Sequence, residues 1–332
     1  MRICIFGAGA IGGFLGAKLA AAGEANVSAV ARGATLDALS QHGWRLFEGA
    51  KLTQAPARAT DDPRELGAQD LVIIAVKGPA LAAVARDLAP LVGRETAVMP
   101  AMNGVPWWFG QGVAALGDAP LESIDPGGAI GAAIPIERVL GCVVHANTST
   151  PQPGVVSHAM GRGLIVGEAR GGRSDRAQQV VDLLARAGFE STHSQAIRRD
   201  IWYKLWGNMT TNPISAMTGA TGDRILGDPL VLRLCHEAMR EAAAIGARIG
   251  CPIEQSPEDR SKITAKLGAF RTSMLQDAQA GRPIELDAIV GVVHELGERL
   301  GVPTPSVDAI FGLARLYGRV HGLYPEGPGI AH

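Results

Sequence analysis

The sequence predicts an α/β protein in two parts: a doubly wound sheet over residues 1–195, then an all-helical part over residues 196–332. Three observations predict it. The chain opens on a short apolar run that enters a glycine-rich turn and then a helix-forming stretch. Further apolar runs follow, each ending in a polar or cationic residue. From about Ile197 onward, apolar residues recur at helical spacing.

The first run, "RICIF" at residues 2–6, is a buried strand. "GAGAIGG" follows, and "FLGAKLAAAG" is a helix ending at Gly23. Gly7, Gly9 and Gly12 match GxGxxG, with Ala8, Ala10 and Ile11 between them. Gly7 permits the tight turn, Gly9 lets a pyrophosphate approach the backbone, and Gly12 lets helix and strand pack closely. The helix N-terminus offers its N–H groups to the phosphates. A strand before the motif and a helix after it are the context that makes this a Rossmann-type dinucleotide fingerprint. Arg2 followed by uncharged residues to Ala17 superficially resembles a signal peptide, but the glycines at 7, 9, 12, 13 and 16 argue against its apolar helix.

"NVSAVAR" is the second strand. NAD-binding folds place an acid at its end, to hold the ribose hydroxyls. Here Glu24 precedes the strand, which ends at Arg32-Gly33. A guanidinium there suits a 2′-phosphate, so the expected cofactor is NADPH. "DLVIIAVKG" and "TAVMPAMNGV" are two more buried strands, with Lys77 and Asn103 just past their ends. Ligands of a doubly wound sheet bind at the carboxyl ends of strands, which would gather Arg32, Lys77 and Asn103 beside the glycine turn. "CVVHAN" and "GLIVGE" are expected as antiparallel additions to this sheet. "SDRAQQVVDLLARAG" is a helix with Ser174 as N-cap and Gly188 as terminator.

The helical part begins with "IWYKLWGNMTTNP", residues 201–213. Trp202, Leu205, Trp206 and Met209 form an apolar stripe at i, i+3, i+4, i+7. Lys204, Asn208 and Asn212 form a second row, drifting about 40° per step. A solvated face would mix Glu with Lys; this row holds one cation, two neutral amides and no carboxylate.

Composition narrows the function further. The chain has 332 residues, 47% hydrophobic and 19% charged, which suits a soluble globular protein with two cores. A net charge of -1 gives no reason to expect nucleic acid or membrane as partner. Cys4, Cys142, Cys235 and Cys251 are isolated, as in a reduced, cytoplasmic protein. His236-Glu237 and His294-Glu295 begin like HExxH, but Arg240 and Glu298 stand where the second histidine belongs, so no metal is expected. No run approaches the ~20 apolar residues of a membrane span.

These residues together resemble the ketopantoate reductase family (2-dehydropantoate 2-reductases). The resemblance covers nearly the whole chain. It rests on "GAGAIGG", "AVARG", "VK" at 76–77, "NG" at 103–104, "KLWGNMTTNP" at 204–213 and "SMLQDAQAGRPIELD" at 273–287. The last two are the specific part. The resemblance implies a Rossmann-type NADP-binding domain, an all-helical substrate and catalytic domain, and NADPH-dependent reduction of a 2-oxo acid to a 2-hydroxy acid. The simplest case is ketopantoate to pantoate in pantothenate biosynthesis. It also implies Lys204 as general acid, which suits the chemistry, since a developing alkoxide needs a nearby cation and a proton. Asn208 and Asn212 would then hold the substrate's polar groups, Ser273 its carboxylate, and Glu285 would be the acidic residue near cofactor and substrate hydroxyl. Asn103 would lie near the nicotinamide ribose and substrate. The resemblance leaves a homodimer open.

One stretch departs from the family pattern. Short members have a shorter connection between Asn103 and Gly141, and here it holds Trp107, Trp108 and Phe109. Those rings either pack on the sheet as core or build an altered substrate wall that admits a bulkier 2-oxo acid. Three alternatives to ketopantoate reduction therefore stay open: a paralogous reductase with a different oxo acid, a β-hydroxyacid dehydrogenase, and a non-catalytic dinucleotide-sensing regulator. The last need not keep a proton donor such as Lys204.

Overall fold

A computed structural model describes residues 1–23 and 25–326. Glu24, which precedes the second strand in the sequence, lies outside the described residues. The chain forms two compact units. The first contains residues 1–109 and 127–200, and the second contains residues 110–126 and the chain from Ile201 onward. The sequence placed the division at 195; the structure divides the chain after Asp200, inside a helix, and moves residues 110–126 into the helical unit.

In order, the first unit comprises β1 (Arg2–Phe6), α1 (Ala10–Ala22), β2 (Asn26–Val30), α2 (Gly33–His42), β3 (Trp44–Glu48), β4 (Lys51–Ala55) and β5 (Arg58–Thr60). It continues with β6 (Gln69–Ile74), α3 (Leu81–Asp87), β7 (Val92–Pro100), α4 (Ala129–Ala133), β8 (Leu140–Gln152), β9 (Val155–Glu168), α5 (Asp175–Arg186) and β10 (Glu190–Ser194). One sheet has the order β5-β2-β1-β6-β7 with every pair parallel. Its central strands β1 and β6 and the second half of β7 are largely buried apolar runs, as a sheet covered on both faces requires.

The expectation for "CVVHAN" and "GLIVGE" is corrected. β8 and β9 do pair antiparallel, but they do not extend the parallel sheet. They belong to a second sheet of order β10-β9-β3-β4, in which β8 also pairs with β9. Helix α1 packs against strands of both sheets, which is why its sequence is apolar but for Lys18. Its glycines allow that. A Cβ at Gly13 would sit 2.5 Å from Val156, and one at Gly16 2.4 Å from the Trp44 ring. At α5, Ser174 accepts a hydrogen bond from the Ala177 N–H (3.1 Å), the cap the sequence predicts.

The aromatic cluster after Asn103 is core, and the substrate-wall reading is corrected. Trp107, Trp108 and Phe109 are 2%, 0% and 0% exposed. The Trp107 indole donates to the Ile134 carbonyl (3.3 Å), and Trp108 sits so close to β8 that a Cβ at Gly141 would meet it at 2.9 Å. Rings buried on all sides leave no face for a substrate. Trp108→Ala is accordingly expected to cost about 3–5 kcal/mol of stability, the usual range for a deleted core aromatic. Melting curves with a substrate panel check this: activity should fall on all substrates together and their ranking should not change.

The second unit contains α6 (Ile197–Thr218) from Ile201 onward, then α7 (Gly222–Gly227), α8 (Pro229–Arg248), α9 (Pro257–Ala265), α10 (Ser273–Gln279), α11 (Val292–Leu300) and α12 (Pro305–Val320). Residues 110–126 join it through Glu295 on α11. That carboxylate accepts from the N–H groups of Glu122 and Ser123 (both 2.8 Å) and from the Ser123 hydroxyl (2.6 Å). Arg299 pairs with Glu295 (2.6 Å) and donates to the Ala119 carbonyl (3.1 Å). No helix among the described residues is long and apolar enough to cross a membrane.

Candidate active site

In the first unit, β1 leads directly into the glycine turn, and the three glycines differ in what surrounds them. Gly7 has φ +95°, and a Cβ there would lie 2.6 Å from Val76. A Cβ at Gly12 would lie 1.9 Å from the Gly7 carbonyl oxygen, inside any permitted contact. Gly7 is glycine because of its positive φ and the segment after β6 pressed against it, and Gly12 because the turn folds onto its own backbone. A Cβ at Gly9 would meet nothing within 4 Å. No packing inside the chain demands a glycine there. Gly9 is also the N-cap of α1, and it provides no side-chain cap. Open space beside a helix start with no side-chain cap, in the turn that also holds Ala8, Ala10 and Ile11, could take a dinucleotide pyrophosphate.

The parallel pairing carries the other residues expected at a nucleotide to the same edge of the sheet. Arg32 follows β2, Lys77 follows β6 and Asn103 follows β7. Strand order reverses beside β1, and in such sheets that switch point is where nucleotides bind. Lys77 and Asn103 are partly buried, and Arg32 is exposed. Arg32 also has a neighbour that sequence reasoning missed: its guanidinium lies 2.9 Å from the Asp87 carboxylate at the end of α3.

In the second unit, α6 carries the Lys204 row. Trp202, Trp206 and Met209 are 0%, 1% and 0% exposed, so the apolar stripe is core. The Trp206 indole donates to the Met239 carbonyl on α8 (2.6 Å). Gly246 on α8 makes room for Trp202, since a Cβ there would sit 2.4 Å from the indole nitrogen. The polar row is not a solvated face. Lys204 and Asn208 are partly buried, and Asn212 is 4% exposed. Beside it, the Arg260 guanidinium lies against Gly207, about where a side chain at 207 would stand, and 4.7 Å over the Tyr203 ring.

Ser273 is fastened to that helix through its neighbour. Thr272 N-caps α10, accepting from the Leu275 N–H (3.1 Å), and its hydroxyl lies 2.5 Å from that of Ser215 on α6. Ser215 donates to the Asn212 carbonyl (2.8 Å), so the Thr272 hydroxyl must be the donor to Ser215. The chain Thr272, Ser215, Asn212 ties the start of α10 to the amide row. It also shows that Ser273 is not the helix cap; it is the exposed first residue of α10.

Glu285 is partly buried in the loop after α10. Asp277 and Arg282 pair at 3.0 Å across the start of that loop, and Ile284 N–H donates to the Leu323 carbonyl (3.0 Å). A π-helical turn, Asp287–Gly291, follows. There the Tyr324 hydroxyl donates to Asp287 (2.6 Å), whose carboxyl burial nevertheless pushes up from its ordinary range. Lys204, Asn208, Asn212, Ser273 and Glu285 thus belong to one unit, and Asn103 belongs to the other with the glycine turn, Arg32 and Lys77.

Other chemistries find little support. Burial pushes the Cys4 thiol up to about 12 and the Cys235 thiol to about 11, so neither is a ready nucleophile. No group of three His, Cys, Asp or Glu side chains among the described residues is placed to hold a metal.

Comparison with known proteins gives a consistent picture. Residues 3–171 match the family model "Ketopantoate reductase PanE/ApbA", and residues 196–318 match its C-terminal counterpart. A 2-dehydropantoate 2-reductase of Mesorhizobium japonicum is 43% identical over 325 residues, covering 98% of this chain and 100% of that protein. A Ralstonia solanacearum protein solved as a candidate ketopantoate reductase is 56% identical, with a TM-score of 0.93 over 97% of this chain and 99% of the other. D-mandelate dehydrogenase, solved with NADH and anilino(oxo)acetate, shares the fold at 20% identity and a TM-score of 0.83, covering 97% of this chain and 100% of its own.

Proposed function

The chain belongs to the ketopantoate reductase family, a family of oxidoreductases, and from that premise we propose that it reduces 2-dehydropantoate to pantoate with NADPH in the cytoplasm. The observation that carries this reading is the row on α6: one lysine and two amides, sinking from partly buried Lys204 to buried Asn212, with no carboxylate in the row. An enzyme that protonates a ketone needs a proton donor such as Lys204; a nucleotide sensor does not.

The residues divide the work as follows. The backbone of Gly7 to Gly12 and the start of α1 hold the pyrophosphate. Arg32 and Lys77 hold the 2′-phosphate, and Asn103 lies toward the nicotinamide ribose. When bound, the reduced nicotinamide supplies the hydride. Lys204 donates a hydrogen bond to the ketone oxygen and passes its proton there as negative charge develops, then regains one from solvent. Asn208 and Asn212 donate amide hydrogens to the substrate's oxygens without adding a competing charge. Ser273 donates its hydroxyl to the carboxylate, and Glu285 accepts from the hydroxyl of the bound substrate. Such pre-placed donors are worth most at the transition state. With Trp107, Trp108 and Phe109 buried in the core, nothing in those rings argues for a bulkier oxo acid, and ketopantoate is the simplest substrate.

A panel of 2-oxo acids assayed with NADPH and with NADH tests the reading. Ketopantoate with NADPH should give the highest kcat/KM. A clearly higher value for another oxo acid would point to a paralogue of different specificity. Cofactor binding with no turnover on any member would favour the sensor.

A further inference from the structure

We infer that Asp87 sets how strongly the protein distinguishes NADPH from NADH, by competing with the 2′-phosphate for Arg32. The inference deepens the proposed function and rests on its assignment of Arg32 to the adenosine ribose.

The geometry is direct. Arg32 Nη2 donates to Asp87 Oδ2 at 2.9 Å, and the two side chains are 67% and 42% exposed. Arg32 follows β2, and Asp87 ends the helix that follows β6. Those two strands flank β1 and its glycine turn. The pair therefore joins the segments on either side of the turn.

Two chemistries meet in that pair. A guanidinium selects for a phosphomonoester, while an acid selects for a ribose diol. Most NAD-binding folds take the acid from the end of the second strand; this chain has none there among the described residues, and supplies one from α3 instead. A 2′-phosphate carries about −1.5 to −2 charges near neutral pH. To reach Arg32 it must displace the Asp87 carboxylate or sit beside it, and like charges repel at that range. A 2′-hydroxyl meets no such opposition and can donate to Asp87. The discrimination in favour of NADPH is then smaller than Arg32 alone would give. Because the pair is exposed, its own contribution to folding is small, so replacing Asp87 probes binding and not stability.

Isothermal titration of Asp87→Asn and the unmodified protein with NADPH, NADH, adenosine 2′,5′-bisphosphate and adenosine 5′-monophosphate tests this. Asparagine keeps the shape and removes the charge. NADPH and the bisphosphate should bind about three- to tenfold tighter, in line with losing one exposed ion pair and one like-charge contact. NADH should bind the same or more weakly, and the monophosphate should not change. The gain should shrink as salt is raised. An unchanged NADPH-to-NADH affinity ratio in Asp87→Asn, with Arg32→Ala still weakening NADPH, would overturn the competition and leave the Arg32 assignment standing. NADPH affinity unaffected by Arg32→Ala would overturn both.

Discussion

Lys204→Ala is expected to lower kcat by on the order of 10²–10⁴, the span usual for a lost general acid. It leaves NADPH affinity where it was. The lysine sits on α6, in the second unit, and the glycine turn, Arg32 and Lys77 belong to the first. Folding should also survive, because Lys204 is only partly buried and its helix is anchored by Trp202, Trp206 and Met209. Lys204→Arg is the informative companion. Arginine keeps the cation but holds its proton at any workable pH. If charge alone were needed, the arginine variant would recover most of the rate; if a transferable proton is needed, it stays close to the alanine variant. Stopped-flow rates together with cofactor titrations separate binding from chemistry. A Lys204→Ala enzyme that turns over near the original rate would reduce Lys204 to a surface lysine.

The second large effect separates two glycines of one motif. Gly12→Ala puts a methyl 1.9 Å from the Gly7 carbonyl oxygen and 3.0 Å from Ile5. Backbone cannot give way as a side-chain end can, so the turn must open. The cost is at least the ~1–3 kcal/mol of an overpacked core, and cofactor binding goes with it. Gly9→Ala meets no atom within 4 Å, and its φ of -78° suits any residue. That variant should melt like the original protein. Its NADPH affinity should nonetheless fall on the order of tenfold to a hundredfold, the range one misplaced methylene costs in a binding site. Calorimetry for melting and for binding on both variants decides the matter. Normal NADPH binding by Gly9→Ala would mean that the turn serves the fold alone.

What the sequence disclosed was local. The glycine turn, the strands ending at Arg32, Lys77 and Asn103, and the two faces of α6 all follow from spacings within a dozen residues, and the structure has each element in place. What it concealed depended on partners far along the chain. Periodicity says that "CVVHAN" is a strand, but not that β9 would draw β3, β4 and β10 into a sheet of its own. Nothing near Trp107 in the sequence says whether Ile134 and Gly141 will close around the rings. Asp87 stands 55 residues from Arg32, so a search for an acid at the end of the second strand passes it by. Thr272 and Ser215 are 57 residues apart, and only the fold reveals that they place the start of α10 beside the amide row. One signal was available: a threonine, itself a favoured N-cap residue, stands directly before "SMLQD".

The most direct test of the central claim is to mix the NADPH-loaded protein with 2-dehydropantoate, follow the nicotinamide absorbance and quantify pantoate. The α6 row predicts one pantoate formed for each NADPH oxidised, with the rate collapsing in Lys204→Ala while NADPH stays bound. NADPH that binds yet is consumed neither with 2-dehydropantoate nor with any other 2-oxo acid would contradict it.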